Sequence, residues 1–337
     1  MDKQTPLKKF FREKVILVTG GTGSIGQCIV SSLVKCHPKK IIIFNKDDSK
    51  QYLMKQQYSN YSNIDFLLGD IREFESVEYA TRGADIVFHV AALKQVPICE
   101  DHPFEAVKTN IIGSENVIRA SILNKVQKVI NVSTDKAVNP TNTMGATKLI
   151  SEKLFSNANF LIHNHQTIFC SVRFGNVINS RGSVFPLFID QAKSGSPITV
   201  TDPNMTRFIM SISDAAQLTL KSAFFSKGGE IFIFKMKSLE IVKLAETIRK
   251  YYHTQGMASP PIKSIGKRSG EKLFEELISY HEKDQVVEDE ELYVVLPDPT
   301  SSFHHFTKTT NPVLRSDQIE SINEKEIIKL LEEIENN

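Results

Sequence analysis

Val15-Ile16-Leu17-Val18-Thr19-Gly20-Gly21-Thr22-Gly23-Ser24-Ile25-Gly26 is the stretch that decides the fold. Its first residues are apolar or β-branched without a break, and they stop at glycines. A strand buried on both faces reads this way, and such strands belong to parallel sheets covered by helices. Gly20, Gly23 and Gly26 then form GxxGxxG at the opening of a helix. Glycines there permit a tight turn, close approach of a pyrophosphate and helix–strand packing. The N–H groups of the helix start would face the same point. Gly20, Thr22, Gly23, Ser24, Ile25 and Gly26 are therefore the expected nucleotide-binding residues. The plainer alternative is a glycine-rich turn without a ligand.

The same rhythm continues downstream. Short runs rich in Ile, Val or Phe stand at 41–44, 64–68, 86–90, 129–132 and 168–172. Helical patterns lie between them at 24–36, 48–58, 75–82, 103–124 and 144–163, the last capped by Asn142 or Thr143. This βαβα repetition predicts an α/β protein with a doubly wound parallel sheet of Rossmann type. After about residue 175 the rhythm loosens. Loops with short strands are expected at 181–186 and 198–207, helices at 211–224 and 238–251, and a closing amphipathic helix at 324–335. The reading divides the chain into a nucleotide-binding domain over 1–175 and a smaller C-terminal substrate lobe over 176–337. The lobe interleaves with late elements of the sheet.

Composition excludes several classes. The 337 residues are 41% apolar and 24% charged with a formal net charge of +2, as in an ordinary soluble protein. Neither a basic stripe for nucleic acid nor a long charged block is present. Cys28, Cys36, Cys99 and Cys170 lack CxxC spacing, so neither a disulfide scaffold nor a metal site is expected, and a reducing, cytoplasmic setting is. The opening MDKQTPLKKFFREK has no signal-peptide core, and no run approaches the roughly 20 apolar residues that span a bilayer.

The ends of the next strands refine the cofactor. An acidic residue closing the second strand would bind a ribose 2′-hydroxyl and favour NAD. Asn45 and Lys46 stand there instead, with Lys50 one turn on, and cations suit a 2′-phosphate. NADP is the expected cofactor. Asp70, followed by Ile71, is placed to accept from the adenine amino group or to cap a helix. Ala91 and Ala92 allow close backbone approach after the fourth strand.

Residues 133–148, STDKAVNPTNTMGATK, carry the chemistry. A Ser-Thr pair closes a strand, and Lys148 sits one helical turn after Met144. This is the layout of a short-chain dehydrogenase/reductase active site, except that Met144 occupies the place of Tyr. A thioether cannot exchange the proton that a phenol handles. Asp135 and Lys136 sit directly behind Ser133 and Thr134, at the end of a parallel strand where such sheets bind ligands. The site reads as hydride chemistry with its acid/base work moved off the usual Tyr. Lys148 is expected at the nicotinamide ribose, and Met144 against substrate or ring.

With these residues the chain resembles the bacterial UDP-N-acetylglucosamine 4,6-dehydratases of flagellin-glycosylation and capsule pathways, within the extended short-chain dehydrogenases. The resemblance runs from about residue 12 to about 280. It rests on TGGTGSIG (19–26), GDIRE (69–73), HVAALKQVP (89–97), VKTNIIGSENV (107–117), STDKAVNPTNTMGATK, RFGNVINSRGSVFPLF (173–188), TDPNMTRF (201–208) and GKRSGEK (266–272). Some members of that family carry Tyr at the position of Met144 and others Met. This chain also resembles the small members without transmembrane helices.

The resemblance implies a mechanism. NADP takes a hydride from C4, Lys136 removes the C5 proton, Asp135 protonates the departing C6 hydroxyl, and the hydride returns to C6. Thr134, Met144 and Lys148 complete the catalytic set, with Asn110 and Lys94 beside the cofactor. Lys94 also falls to the sugar. Asn176, Arg181, Ser183, Thr201, Met205, Arg207, Arg268 and Glu271 fall to the UDP-sugar, since Arg matches phosphate geometry. An exposed Lys with a pKa of ~10.4 is neutral roughly once in 2,500 at pH 7, so Lys136 needs a lowered pKa. Burial beside Lys148 and a cationic nicotinamide is the expected source. C5 inversion is expected, and a dimer or hexamer is implied. The alternatives are release of the 5,6-ene, a UDP-sugar 4-epimerase or reductase, and an NADP-binding regulator without turnover.

Overall fold

The computed structural model describes residues 5–164, 166–180, 182–298, 303, 306–309 and 311–336. Among these residues the first half supplies strands β1 (Val15–Thr19), β2 (Lys40–Asn45), β3 (Ile64–Leu68), β4 (Ile86–His89), β5 (Lys128–Val132) and β6 (Ile168–Arg173). The second half adds β7 (Asn176–Val177), β8 (Ile198–Val200), β9 (Thr206–Met210), β10 (Ile231–Phe234), β11 (Lys237–Glu240), β12 (Ile262–Ser264), β13 (Val286–Glu288), β14 (Leu292–Val295) and β15 (Thr307–Lys308). The main sheet runs β3-β2-β1-β4-β5-β6-β10-β14-β13-β15. It is parallel from β3 to β10, and β14, β13 and β15 extend it antiparallel. Strand order reverses between β1 and β4, the point where such sheets open a ligand crevice.

Both faces of the sheet are covered. Ile16 and Val18 of β1 point into a cluster with Ile29, Ile41, Phe88 and Leu218. Leu17, between them, points to the opposite face, against Phe44, Val87, Val129, Phe155 and Phe169. Each such buried side chain contributes about 1.5–3 kcal/mol, which is why the strand cannot slip by one residue. The expected α/β doubly wound sheet is therefore present.

The second half departs further from the sequence reading. Helix Val184–Ser194 begins inside the 181–186 stretch expected as loop and ends at Gly195 with φ 70°. Lys237–Glu240 pairs with β9 although 238–240 were expected to open a helix, and the helix begins at Ile241. Phe185, Phe188, Leu244, Ile248 and Leu331 join in a separate apolar cluster beneath the β7-β9-β11 sheet and the β8-β12 pair. The closing helix Glu324–Glu335 supplies Leu331 and matches expectation. Among the described residues no helix is long and apolar enough to cross a membrane.

Candidate active site

Gly20 adopts φ 66°, and a Cβ there would stand 2.8 Å from the Ala91 backbone. A Cβ on Gly26 would stand 2.4 Å from the Gly20 carbonyl oxygen. The loops after β1 and β4 thus touch at the switch point. Gly23 is the N-cap of helix Ser24–Val34 and offers no side chain to its first N–H groups. A glycine cradle opening on an uncapped helix start fits a dinucleotide pyrophosphate. Thr22 lies in this loop, where its hydroxyl accepts from the Asn45 amide, and Ile25 packs against the core.

The charges beyond β2 and β3 pair differently from the sequence reading. Lys50 is turned onto Asp47, the cap of its own helix. Lys46 keeps its place at the rim, half-exposed, with Nζ 3.6 Å from Asp70 Oδ2. The Asp70 carboxylate accepts from Arg72 Nε at 2.8 Å and from the Arg72 N–H at 3.0 Å. Burial alone would raise the Asp70 pKa, but these bonds and the Lys46 charge hold it below the ordinary value. An acceptor already committed to a guanidinium is a poor partner for an adenine amine. Arg72, which the sequence reading passed over inside GDIRE, is thus a further cation at this rim. Ile71 is buried in the core, with its carbonyl accepting from Asn116 at 3.0 Å.

Asn110 is held by the protein itself. It lies in the π-helical turn Lys108–Ile112, accepts from Leu93 N–H at 2.8 Å, and donates to the Leu93 carbonyl and to Thr147 at 3.0 Å each. Its amide fixes the loop after β4 to helix Thr143–Ala158, leaving no donor for a cofactor. Ala91, Ala92 and Lys94 lie on the loop so fixed, Lys94 exposed.

Beyond β5 the ladder continues: Ser133 N–H donates to Val172 O at 2.7 Å and Asp135 N–H to Phe174 O at 3.0 Å. Residues 134–136 are thereby carried over the C-terminal edge of the sheet. Thr134 Oγ1 and Lys136 Nζ both donate to Asp135 Oδ1 at 2.9 Å. Lys136 Nζ also donates to Asn176 Oδ1 at 3.1 Å and lies 3.4 Å from Glu275 Oε1. Ser133 Oγ, Asp135 Oδ2 and Glu275 Oε2 are buried with no hydrogen-bond partner among the described residues. Such orphaned atoms are costly in a dry interior and mark candidate contacts for a polar ligand.

The expected lowering of the Lys136 pKa is not found. Burial acts in that direction, but the Asp135 and Glu275 carboxylates reverse it, and the pKa is raised. Arg207, not Lys148, is the cation that opposes them. Lys148 is buried, and that burial pushes its pKa down to about 8 against the pull of Glu152. Met144, 4% exposed, packs with Cys99 and Ala106 of the chain itself and not in an open cleft. His89, unremarked in the sequence, bonds Thr19 at 2.9 Å, and burial drives its pKa to about 3. It is neutral and ties β1 to β4.

The residues assigned to the UDP-sugar separate into groups. Asn176, Ser183 and Arg207 line one small cavity. Arg207 is buried, and its guanidinium donates to the carbonyls of Thr206 at 2.7 Å and Lys272 at 3.0 Å. A buried guanidinium must be satisfied, and these carbonyls let Arg207 organise the segment beside Lys136. Glu271 Oε2 accepts from the Arg268 N–H at 3.1 Å, and the Arg268 side chain stays exposed. Met205 is a core residue that accepts from Thr201 at 3.5 Å, so neither heads a ligand pocket. Arg181 lies outside the described residues. A groove of about 610 Å³ lies along β3 under Tyr58, Tyr61 and Tyr79, and no candidate residue lines it.

A Rossmann-type sheet with a glycine cradle at its switch point and an Asp135–Lys136 pair beyond β5 defines an α/β protein of the doubly wound class. A family model described as "Polysaccharide biosynthesis protein" matches residues 16–297, and the chain belongs to that family. It is 45% identical over 331 residues to the "Uncharacterized membrane protein MJ1061" of Methanocaldococcus jannaschii, covering 97% of this chain and 98% of that one. It is 44% identical over 276 residues to a "UDP-glucose 4-epimerase" of Rickettsia bellii, covering 81% and 80%. Its fold is similar to the X-ray structure of Pen from Bacillus thuringiensis, with a TM-score of 0.89, 40% identity and coverage of 96% and 98%.

Proposed function

We propose that the chain is an NADP-dependent UDP-N-acetylglucosamine 4,6-dehydratase, C5-inverting, serving surface polysaccharide or glycoprotein sugar synthesis. Residues 1–175 would hold NADP and 176–337 mainly the UDP-sugar, in a homo-oligomer. The observation that carries the reading is the 2.9 Å bond between Lys136 Nζ and Asp135 Oδ1 at the end of β5, beside a Met144 with no proton to give. An epimerase or reductase on this scaffold would want the phenol that is missing.

Gly20, Gly23 and Gly26 would receive the pyrophosphate, Lys46 with Arg72 the 2′-phosphate, and Lys148 the nicotinamide ribose. A bound nicotinamide would supply the acceptor and later the donor of the C4-to-C6 hydride. Lys136, as the amine, takes the acidified C5 proton of the 4-keto sugar. The resulting ammonium passes that proton over 2.9 Å to Asp135, which delivers it to the departing C6 hydroxyl as water. Thr134 fixes Asp135 Oδ1 and leaves Oδ2 for the sugar. Positioned acid–base groups of this kind contribute typically 10²–10⁴-fold.

A 4-epimerase is the second reading, favoured by the 44% identity to the Rickettsia bellii protein of that name. NMR of UDP-N-acetylglucosamine incubated with the protein separates the two. A new C6 methyl doublet supports dehydration, and a galacto product supports epimerisation. No change under either cofactor would leave a nucleotide-binding protein without turnover.

A further inference from the structure

Glu275 was not among the residues the sequence singled out, yet it is fixed as firmly as Asp135. Its N–H donates to Ser316 Oγ at 3.0 Å, and its carbonyl accepts from Ser316 N–H at 2.9 Å. Its side chain is 4% exposed. Oε1 stands 3.4 Å from Lys136 Nζ and 3.7 Å from Arg207 Nε, and Oε2 has no hydrogen-bond partner among the described residues. The charged groups around it are Lys136 and Asp135 from the turn after β5, Arg207 from β9, and Glu271 and Lys272 from its own segment. Lys272 is drawn in turn to Glu276 at 3.6 Å.

Lys136 cannot act on a C–H bond as the ammonium that Asp135 and Glu275 stabilise. Its proton must go first, and two carboxylates are within reach. Asp135 is occupied as the relay to the leaving hydroxyl. We propose that Glu275 is a positioning residue for Lys136, whose carboxyl takes the proton that Lys136 must shed before acting at C5 and returns it afterwards. The inference rests on the reading of Lys136 as the C5 base.

The step balances within the site. The Nζ–H bond of Lys136 breaks and an O–H bond forms on Glu275, so ammonium and carboxylate become amine and carboxylic acid without change in net charge. The Nζ lone pair then binds the C5 proton, and the C5–H electron pair becomes the enolate of the 4-keto sugar. The proton released from the C4 hydroxyl on oxidation passes to solvent, solvent returns one to C5 on the face opposite Lys136, and Glu275 restores its own proton to Lys136. Burial favours this exchange, because a neutral pair is less costly in a dry interior than an ion pair. Burial raises the proton affinity of Glu275, the Lys136 charge opposes it, the Asp135 charge adds to the rise, and the net direction is up.

The test is C5 deuterium uptake from D₂O into UDP-N-acetylglucosamine, followed by NMR from about pH 6 to 9. The native protein keeps the proton inside the site, so its rate should be flat through neutral pH. In Glu275→Gln, Lys136 must release the proton to water. Uptake should fall on the order of 10²–10³-fold at pH 7 and climb about tenfold per pH unit. Glu275→Asp should be slower than the native protein but retain the flat profile. An unchanged rate in Glu275→Gln, or a loss equal at every pH, overturns the proposal and leaves Glu275 a structural residue. Should the variants not fold, a native rate that itself climbs tenfold per pH unit through neutrality overturns it as well. No C5 uptake in the native protein at any pH is a different failure, that of the dehydratase reading, and takes this inference with it.

Discussion

Arg173, the last residue of β6, donates through Nη2 to Glu152 Oε2 at 2.6 Å, with both side chains 1% exposed. Glu282 closes the arrangement at 3.0 Å. The guanidinium joins the sheet to helix Thr143–Ala158, which carries Lys148. Arg173→Met should therefore destabilise the protein by about 3–5 kcal/mol, because Glu152 is left as an uncompensated buried charge. Arg173→Met with Glu152→Leu should recover much of that loss. Urea unfolding of both variants checks this, and a single variant within 1 kcal/mol of native, about the scale of an exposed pair, would show that the pair is dispensable.

Lys148 offers the opposite trade. Its pKa of about 8 lies below the ordinary 10.5 because burial disfavours the ammonium. Between pH 8 and 10.5 the unfolded chain binds more protons at this site, so native stability rises with pH across that window. Below it the full penalty applies. Lys148→Met should stabilise the nucleotide-free protein by up to ~3 kcal/mol at pH 7, the gain shrinking as pH rises through the window, while turnover is lost. Unfolding free energies at pH 7 and pH 10 test the sign.

Lys46 is the cation with the freest approach to a ribose phosphate, since Lys50 is committed to Asp47. Lys46→Glu should weaken NADP binding by on the order of 2 kcal/mol or more, and NAD binding much less. Arg72→Ala should do the same if its guanidinium turns from Asp70 to the phosphate. Titration with both nucleotides reads the difference. Equal losses for the two cofactors would remove these residues from the 2′-phosphate.

The sheet was legible because its strands are buried on both faces, so apolar runs such as Val15–Thr19 announce themselves and glycines end them. Asn142 was legible as a cap, and it accepts from Gly145 N–H at 2.8 Å. The lobe was harder. Val184–Ser194 has helical spacing, but it follows the polar stretch Asn179-Ser180-Arg181-Gly182-Ser183, which reads as loop. Lys237–Glu240 is a short strand whose pairing with β9 depends on contacts far along the chain. Site chemistry divided in the same way. Asp135 and Lys136 stand in one motif, whereas Glu275 comes 139 positions after Lys136 and nothing in its own neighbourhood announces it. Arg207 was legible as a charge, but the backbone carbonyls of Thr206 and Lys272 to which it donates were not.

If Lys136 removes the C5 proton, deuterium uptake at C5 is the step that Lys136→Ala loses. UDP-N-acetylglucosamine in D₂O, followed by NMR alongside NADPH absorbance, separates the first hydride transfer from the proton step. Lys136→Ala should still form NADPH while C5 uptake falls by roughly 10²–10⁴-fold. Asp135→Asn should retain uptake but stall the loss of water. Undiminished C5 uptake in Lys136→Ala would rule Lys136 out as the base and move that role to Asp135 or to a bound water.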